Sequence, residues 1–238
     1  MAISEQPTPA SKAALVTHGG TELALHAIPV LTQAFQNDPL FNYFMAGFSE
    51  DERREYLPTL IGGLVKASTL NKGIIYEASS WGSCAIMMPA GRKAIRGSKA
   101  IQCGALSMLL QLNSEGLKRV LVEHPTAVKR AKKKVFTPKE ISEFLYIFII
   151  GTASNRQRQG LGGVLLEHMK AYAHSQGRAL WLEASNANAR RLYAKHGFQD
   201  VEEFTFGEGL VGPDGLAKKG GEGVKNWAMV WRPELKKE

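Results

Sequence analysis

The stretch Phe144-Leu-Tyr-Ile-Phe-Ile-Ile150, followed after a short polar segment by Gln157-Arg-Gln-Gly160-Leu-Gly162-Gly163, decides the fold of this chain. The first run is continuously apolar and rich in β-branched and aromatic residues, which is typical of a central strand buried on both faces. After the glycines, apolar residues recur at the spacing that places them on one face of a helix: Leu161, Val164, Leu165, Met169 and Tyr172. A second apolar run, 179–182, follows directly. Strand, helix and strand in this order predict a right-handed βαβ unit and therefore a partly parallel sheet.

The glycine segment lies where the predicted strand turns into the helix, which is a favourable place for an anion. The first N–H groups of a helix have no partner, and the helix dipole adds about half a positive charge there. A P-loop would need Gly-Lys-Ser/Thr where Gly162-Gly163-Val164 stands, and a dinucleotide fingerprint would need Gly or Ala at Leu165. Neither pattern fits. A glycine-rich helix start that binds no ligand remains open on this motif alone.

The rest of the chain is predicted to form further helices and strands of one domain. Apolar spacing predicts a helix over 23–35 that stops before Pro39, and Ser49 with Glu52 predicts a capping box for the next helix. Further elements are predicted as follows: strands at 73–78 and 83–88, a helix at 187–196, a strand from Phe198 and a last strand at 225–231 that could pair across a dimer. Residues 1–20 are expected to form a flexible leader, and 21–238 a single domain with a helical insertion at 91–140.

Composition limits the classes of protein that fit. The chain has 238 residues, of which 44% are hydrophobic and 22% charged, so an intrinsically disordered or fibrous protein is excluded. The longest apolar run, Phe144 to Ile150, is far shorter than the roughly 20 residues of a membrane-spanning helix. Two cysteines without metal-site or disulfide spacing, and no secretory signal, predict a cytoplasmic protein.

The net charge of +8 favours anionic partners such as phosphates. The basic run Lys129–Lys134 is interpreted as a solvated helix face, because no aromatic residues interleave it as in a nucleic-acid surface. The six histidines are scattered without ligand spacing, so we predict no metal site.

Two spaced motifs carry a family resemblance. Gln157-x-x-Gly160-x-Gly162 resembles the acetyl-CoA motif of the GNAT acetyltransferases, and Asn186-x-x-Ala189-x-x-x-Tyr193-x-x-x-Gly197-Phe198 resembles their second signature. The chain is most similar to puromycin N-acetyltransferases and their fungal and actinobacterial relatives. The residues that carry this closer likeness are Phe144-Leu145, Leu182-Glu183-Ala184-Ser185 and Trp227-Ala-Met229. Ser154 departs from the proline that these relatives carry in the loop.

The resemblance implies a mixed, mostly antiparallel α/β sheet with a splayed parallel pair, flanked by helices, and acetyl-CoA as co-substrate. Backbone groups at Ile150 and Thr152 would pair with the pantetheine arm and polarise the thioester carbonyl. The residues implied to contact the cofactor are Ile150, Gly151, Thr152, Gln157, Arg158, Gln159, Gly160, Leu161, Gly162, Gly163, Asn186 and Tyr193. For Asn186 the alternative is an ordinary helix N-cap.

The resemblance also implies the reacting groups. Tyr193 matches the family's general acid, whereas without the motif it would be read as a core aromatic residue. Glu183 ends an apolar strand, where an unpaired carboxylate is costly. It could be the general base, directly or through a water, or equally a structural carboxylate paired with an arginine.

The acceptor is expected to be the primary amine of a small molecule, such as an antibiotic or another xenobiotic. A protein or peptide amine, or a non-catalytic acyl-CoA-binding module, are the alternatives. Phe35, Asp38, Phe41 and Tyr43 lie where relatives place their acceptor-site helices, although core packing would also explain aromatic residues there. The enzyme is expected to be a monomer or a homodimer, with neither nucleic acid nor membrane as a partner.

Overall fold

A computed structural model describes residues 15–95 and 108–234 of this chain. Most of the predicted leader and the middle of the predicted insertion, with Ile101, Cys103 and Ala105, lie outside the described residues. Val16–Gly19, which we expected to belong to the leader, instead form an edge strand paired with 75–78. Four residues are too short for a strand pattern to be visible in the sequence. Among the described residues, no helix has the length and apolarity needed to cross a membrane.

The described residues form one seven-stranded sheet with helices on both faces. The strands are β1 (Val16–Gly19), β2 (Ile74–Ala78), β3 (Ser83–Met88), β4 (Leu145–Thr152), β5 (Leu180–Ala184), β6 (Gln199–Phe206) and β7 (Val224–Trp231). Their order in the sheet is β1-β2-β3-β4-β5-β7-β6, and all neighbours are antiparallel except β4 and β5. The predicted mixed α/β fold with one parallel pair is thus confirmed. The last strand lies between β5 and β6, so the expectation that it pairs across a dimer is wrong, because both of its edges are already paired.

The helices that matter for the site can be named in chain order: α1 (Ala24–Phe35), α2 (Pro39–Phe44), α3 (Glu50–Leu70), α4 (Ser114–Lys118), α5 (His124–Val135), α6 (Leu161–Ser175) and α7 (Ala187–Lys195). A single π-helical turn, Arg119–Glu123, joins α4 to α5. The predicted capping box of α3 is present, with Ser49 and Glu52 each bonding the other's backbone. The predicted βαβ unit is β4, α6 and β5.

A bulge in β4 changes which face of the sheet each side chain reaches. Ile149 pairs with Ile86 and Ile147 with Met87, so Phe148 has no partner residue on β3. Ile147 packs beneath α6, whereas Phe148 and Ile149 both contact the core under α1 and α3. Two consecutive side chains on one face are the usual result of such a bulge. Along the whole strand, buried and half-buried residues alternate, so the expectation of a strand buried on both faces is wrong for the half-buried positions, several of which line the open cleft.

The segment that carries the basic run is not a fully solvated helix. Ala131 is completely buried against the β6–β7 end of the sheet, and the ammonium of Lys132 lies over the rings of Tyr146 and Trp181 at 4.6 and 5.4 Å. Lys129 and Lys133 are exposed. The expectation of a solvated face is therefore wrong for Lys132, because packing of α5 on the sheet turns that position inward.

Candidate active site

A cleft opens where the two parallel strands separate. Among the described residues the pairing of β4 with β5 extends over Leu145–Leu180 and Tyr146–Trp181 and ends there. Beyond that point the edge of β4 that faces β5 has no neighbouring strand. The resulting cleft has a volume of about 870 Å³ and is lined by residues of α1, α2, β4, β5, α6 and α7. Backbone groups along this edge are therefore available to a ligand.

One end of the cleft is formed by the start of α6. Gly160 precedes the helix at φ +78°, and no side chain caps it. The first helical bond is that of Val164 N–H to Gly160 O at 3.1 Å, which leaves the earlier N–H groups without a helical acceptor. A Cβ at Gly160 would meet open space, whereas one at Gly162 would lie 3.3 Å from Leu192. This concave, positively polarised end suits a phosphate group.

Side chains around this loop hold its shape. Arg156 donates from Nη2 to Ser79 Oγ at 2.7 Å and from Nε to Gln159 Oε1 at 3.1 Å. Gln157 reaches the carbonyl of Thr152 at 3.5 Å. Arg158 lines the cleft and makes no hydrogen bond or ion pair with the described residues. Of these predicted cofactor contacts, Gln159 alone lies outside the cleft lining and instead braces Arg156.

The middle of the cleft is the open edge of β4. Ile150, Gly151 and Thr152 line it, as the resemblance implies. A side chain at Gly151 would collide with α1, since its Cβ would lie 2.7 Å from that of Ala34. Thr152 Oγ1 is 2.9 Å from Ser83 Oγ, which fixes the end of the strand. The backbone of β4 is therefore held rigidly beside the cleft.

Tyr193 lies across the cleft from β4, on α7. It is 6% exposed, and its hydroxyl makes no hydrogen bond to the residues that the structure describes. Burial, followed by the negative charge of Asp38, raises the pKa of Tyr193, so the phenol keeps its proton at neutral pH. The side chain is thus both a packed core residue and a cleft wall, and its role as general acid stays a prediction.

Asp38 and Asn186 act first as helix caps. Asp38 Oδ1 accepts from the N–H of Leu40 at 3.0 Å and of Phe41 at 3.2 Å, while Oδ2 accepts from Ser185 Oγ. Asn186 Oδ1 accepts from Ala189 N–H at 2.9 Å at the start of α7. Burial raises the pKa of Asp38 against the effect of these hydrogen bonds. Both residues line the cleft as well.

The other end of the cleft is aromatic and contains one half-buried carboxylate, that of Glu183 on β5. Its Oε2 accepts from the hydroxyl of Tyr146 at 2.6 Å, and its Oε1 accepts from the indole N–H of Trp181. The partners are therefore a tyrosine and a tryptophan, and the arginine that the structural interpretation required is not among the described contacts. Burial and the nearby carboxylate raise the pKa of Tyr146.

Aromatic rings wall this end. Phe35, Phe41 and Phe44 all line the cleft, and Phe35 and Phe41 have ring centroids 5.0 Å apart. Tyr43, which we also expected at the acceptor site, lies outside the cleft. Its hydroxyl donates to Glu123 at 2.6 Å, and its ring is covered by the guanidinium of Arg119 at 4.1 Å. Residues two apart on a helix point to nearly opposite sides, so Phe41 faces the cleft and Tyr43 does not, whereas Phe44, three residues after Phe41, lies on the side of the cleft again.

His124 is the cleft residue that sequence reasoning missed. It begins α5, lines the aromatic end and carries a buried Nε2 to which no residue of 15–95 or 108–234 makes a hydrogen bond. The scattered histidines of the sequence gave no signal for it. Among residues 15–95 and 108–234, no group of three or more His, Cys, Asp or Glu side chains is placed to hold a metal.

Comparisons with known proteins agree with this geometry. A model of the acetyltransferase (GNAT) family matches residues 135–198, which include β4, α6, β5 and α7. The solved structure of histone acetyltransferase HPA2 and related acetyltransferase from Corynebacterium glutamicum superimposes with a TM-score of 0.61, at 20% identity, over 95% of this chain and 99% of that one. The protein has the fold of the GNAT acetyltransferases and is an acyltransferase.

Two further similarities extend over most of this acyltransferase. An uncharacterised N-acetyltransferase of Schizosaccharomyces pombe is 22% identical over 172 residues, which are 72% of this chain and 69% of that protein. The structure of arylalkylamine N-acetyltransferase 2 from Aedes aegypti has a TM-score of 0.58 at 15% identity and covers 91% of this chain and 98% of that one. At such identities the solved structures establish the fold alone, and the amine that this acyltransferase uses must be argued from the cleft.

Proposed function

We propose that this acyltransferase moves the acetyl group of acetyl-CoA to the primary amine of a small molecule with an aromatic or apolar body. Antibiotics and other xenobiotic amines fall within this class. The observation that carries the proposal is the half-buried carboxylate of Glu183, held by two donors, at the aromatic end of a cleft whose other end suits a phosphate. A carboxylate among aromatic rings favours an organic cation.

The start of α6 fits the pyrophosphate of coenzyme A. Gly160 leaves open space where any other residue would place a Cβ, and the uncapped N–H groups after it have no helical acceptor. Arg158 adds a guanidinium at the same end of the cleft. These are the donors that a pyrophosphate requires. When bound, acetyl-CoA supplies an acyl thioester.

The open edge of β4 suits the pantetheine arm and the thioester carbonyl. The backbone of Ile150 and Thr152 would align the arm by main-chain hydrogen bonds, as an added strand would. A backbone N–H held rigidly beside the acyl oxygen stabilises the charge that develops there. Gly151 keeps this edge close to α1, because no side chain would fit between them.

Tyr193 is the proposed proton donor to the leaving sulfur. Its pKa is raised by burial, so the hydroxyl is protonated at physiological pH, and it makes no hydrogen bond to a described residue. Full proton transfer from such a phenol to a thiolate is uphill on pKa values alone. Its contribution is a hydrogen bond that strengthens as negative charge forms on sulfur, followed by proton transfer.

The proposal is tested by incubating the protein with acetyl-CoA and a panel of amines. The panel contains puromycin, 2-phenylethylamine, tryptamine, spermidine and a lysine-bearing peptide, with thiol release and product mass as readouts. We expect acetylation of the aromatic amines and little of spermidine, because aromatic rings wall this end and Asp38, the second carboxylate of the cleft, is already engaged by the first turn of α2 and by Ser185. Preference for the peptide would favour a protein acetyltransferase. Binding of coenzyme A without thiol release with any amine would indicate a non-catalytic binding module.

The setting in which the enzyme works is also part of the proposal. A cytoplasmic enzyme fits a supply of acetyl-CoA and fits Cys84, a free thiol that is completely buried. A small-molecule partner, with the protein acting as a monomer or homodimer, fits a cleft that opens within one chain. Light scattering of the purified protein and microscopy of a fluorescent fusion test these two points separately.

A further inference from the structure

Acetylation of an amine requires a group that accepts a proton from nitrogen. Three described side chains with an acceptor atom for this purpose line the cleft: Asp38, Glu183 and His124. Both oxygens of Asp38 are already engaged, one by the first turn of α2 and the other by Ser185, on the Tyr193 side of the cleft. Both oxygens of Glu183 accept from Tyr146 and Trp181. His124 differs from both carboxylates because its ring has a nitrogen that no described residue engages.

The position of His124 is built by elements far apart in the chain. Its ring packs edge-on against that of Phe44 of α2, with ring centroids 5.5 Å apart. The ring of Phe206 of β6 is tilted relative to it, with centroids 5.7 Å apart. These contacts hold the ring at the aromatic end of the cleft. Its Nε2 is buried and has no hydrogen-bond partner among the residues that the structure describes. Buried polar atoms are nearly always paired, so such an atom beside a cleft indicates a ligand partner.

The charges around the ring leave it neutral. Burial lowers the pKa of His124, and the ammonium of Lys132 on the same helix lowers it further, while the carboxylate of Glu183 on β5 opposes both effects. The described residues packed against the ring from α2 and β6 are phenylalanines and bring no charge. A neutral imidazole offers one nitrogen as an acceptor at physiological pH.

We propose that Nε2 of His124 is the general base of this enzyme and accepts the proton that the substrate amine loses. The inference rests on the proposed function. As the bond between nitrogen and the acyl carbon forms, the N–H bond breaks and its proton moves to Nε2. The carbon–sulfur bond breaks with its electron pair on sulfur, which takes the hydroxyl proton of Tyr193. The imidazolium then returns its proton to water, and the phenolate regains one from water.

Glu183 has a complementary task in this arrangement. Its carboxylate is fixed by Tyr146 and Trp181, and it lies close enough to His124 to act on it electrostatically. It attracts a cationic amine into the cleft and stabilises the positive charge that passes from the substrate nitrogen to the imidazole. Glu183 therefore attracts the charged amine, and His124 accepts its proton.

The test compares His124→Gln and His124→Ala with the wild-type protein, using 2-phenylethylamine as the acceptor. His174→Gln, at an exposed position near the end of α6, is the matched control. We expect kcat to fall about 100-fold or more in both His124 variants, as for the loss of a general base, with coenzyme A affinity unchanged. The wild-type rate should rise with pH below neutrality as His124 loses its proton. This rise in the rate should be absent from both His124 variants. Added imidazole should partly restore His124→Ala.

The outcomes separate this inference from the function on which it rests. If wild-type protein acetylates 2-phenylethylamine and His124→Gln keeps both its rate and its pH profile, the inference is wrong and the proposed function stands. A lower rate with an unchanged pH profile and no rescue by imidazole would also overturn it, because a purely structural role predicts that pattern. If the wild-type protein acetylates no amine in the panel, both proposals fall together.

Discussion

The hydroxyl of Tyr146 on β4 donates to Oε2 of Glu183 on β5 across a distance of 2.6 Å. Tyr146 is the last residue of β4 that pairs with β5, opposite Trp181, whose indole donates to the other oxygen of the same carboxylate. At the point where the backbone pairing of the two strands ends, this side-chain hydrogen bond therefore adds a further link between them. Tyr146 thus joins β4 to β5, and together with Trp181, which lies on β5 itself, it orients the carboxylate of Glu183.

Replacing Tyr146 with Phe removes one of these donors and leaves a half-buried carboxylate with a single partner. We expect a loss of about 2 kcal/mol in the free energy of unfolding, or roughly 4–8 °C in Tm. The KM for the amine should rise, because Glu183 is less well oriented, while coenzyme A affinity stays constant. Thermal unfolding and steady-state kinetics measure these effects. Tyr172→Phe, at a partly exposed position on α6, is the control; equal behaviour of the two variants would contradict the proposed role.

Replacing Tyr193 with Phe tests the proton donor. The change removes a hydroxyl and keeps the ring that packs against Phe198. We expect kcat to fall about 100-fold or more, with coenzyme A affinity nearly unchanged by calorimetry. Because burial raises the pKa of Tyr193, activity that depends on its protonated form should persist up to pH values near 10, the ordinary range of a phenol, and above. A wild-type rate that falls between pH 8 and 9 in step with a phenol would count against this role.

The two ends of α6 offer a matched pair of glycines for testing phosphate binding. Gly160 and Gly177 both have positive φ, +78° and +60°, and at both a Cβ would meet open space. Leucine at either position should cost about 1–2 kcal/mol of stability through the left-handed backbone. Gly160→Leu alone should abolish coenzyme A binding, because its side chain would enter the phosphate end of the cleft. Calorimetry with coenzyme A measures this, and weakened binding by Gly177→Leu to the same degree would show that the effect is not local.

The ion pair between Glu140 and Arg232, outside the cleft, predicts how the stability of the fold changes at low pH. Hydrogen bonds from the backbone and hydroxyl of Thr137 and from Arg232, which is 2.6 Å away, lower the pKa of Glu140 to about 2. A lowered pKa means that this contribution is present above the ordinary carboxyl pKa and is lost as pH falls from about 4.5 towards 2. Glu140→Gln should therefore lower Tm at pH 7, and its difference from the wild type should shrink over that range. If the difference in Tm between Glu140→Gln and the wild type stayed constant from pH 7 to pH 2, the lowered pKa of Glu140 would be contradicted.

Local patterns in the sequence predicted the local structure well. The capping box of Ser49 and Glu52, the βαβ unit and the glycine-rich start of α6 all depend on residues close together in the chain, so their spacing reports them directly. The implied cofactor contacts at Ile150, Gly151 and Thr152 line the cleft, but their roles stay predictions. The bulge at Phe148 left no local signal, because it depends on pairing with β3.

The amine end of the cleft was the part that the sequence did not reveal. Lys132 was interpreted as a solvated residue and Tyr43 as a cleft residue, and His124 was not singled out. Each error has the same origin: the orientation of these side chains depends on the packing of α2 and α5 against strands that are distant in the sequence. Helical spacing indicates that a face is apolar, but it does not say what that face packs against.

The sequence by itself determined the parallel βαβ unit and the uncapped helix start, since both follow from the conformational preferences of neighbouring residues. Tertiary structure alone decided that the carboxylate bound by Tyr146 and Trp181 is that of Glu183, and that Lys132 lies over aromatic rings. It also decided that His124, one of six histidines, has a buried nitrogen without a hydrogen-bond partner among the described residues. The physical reason is that burial and electrostatic environment belong to the packed assembly of distant segments, and no single segment carries them.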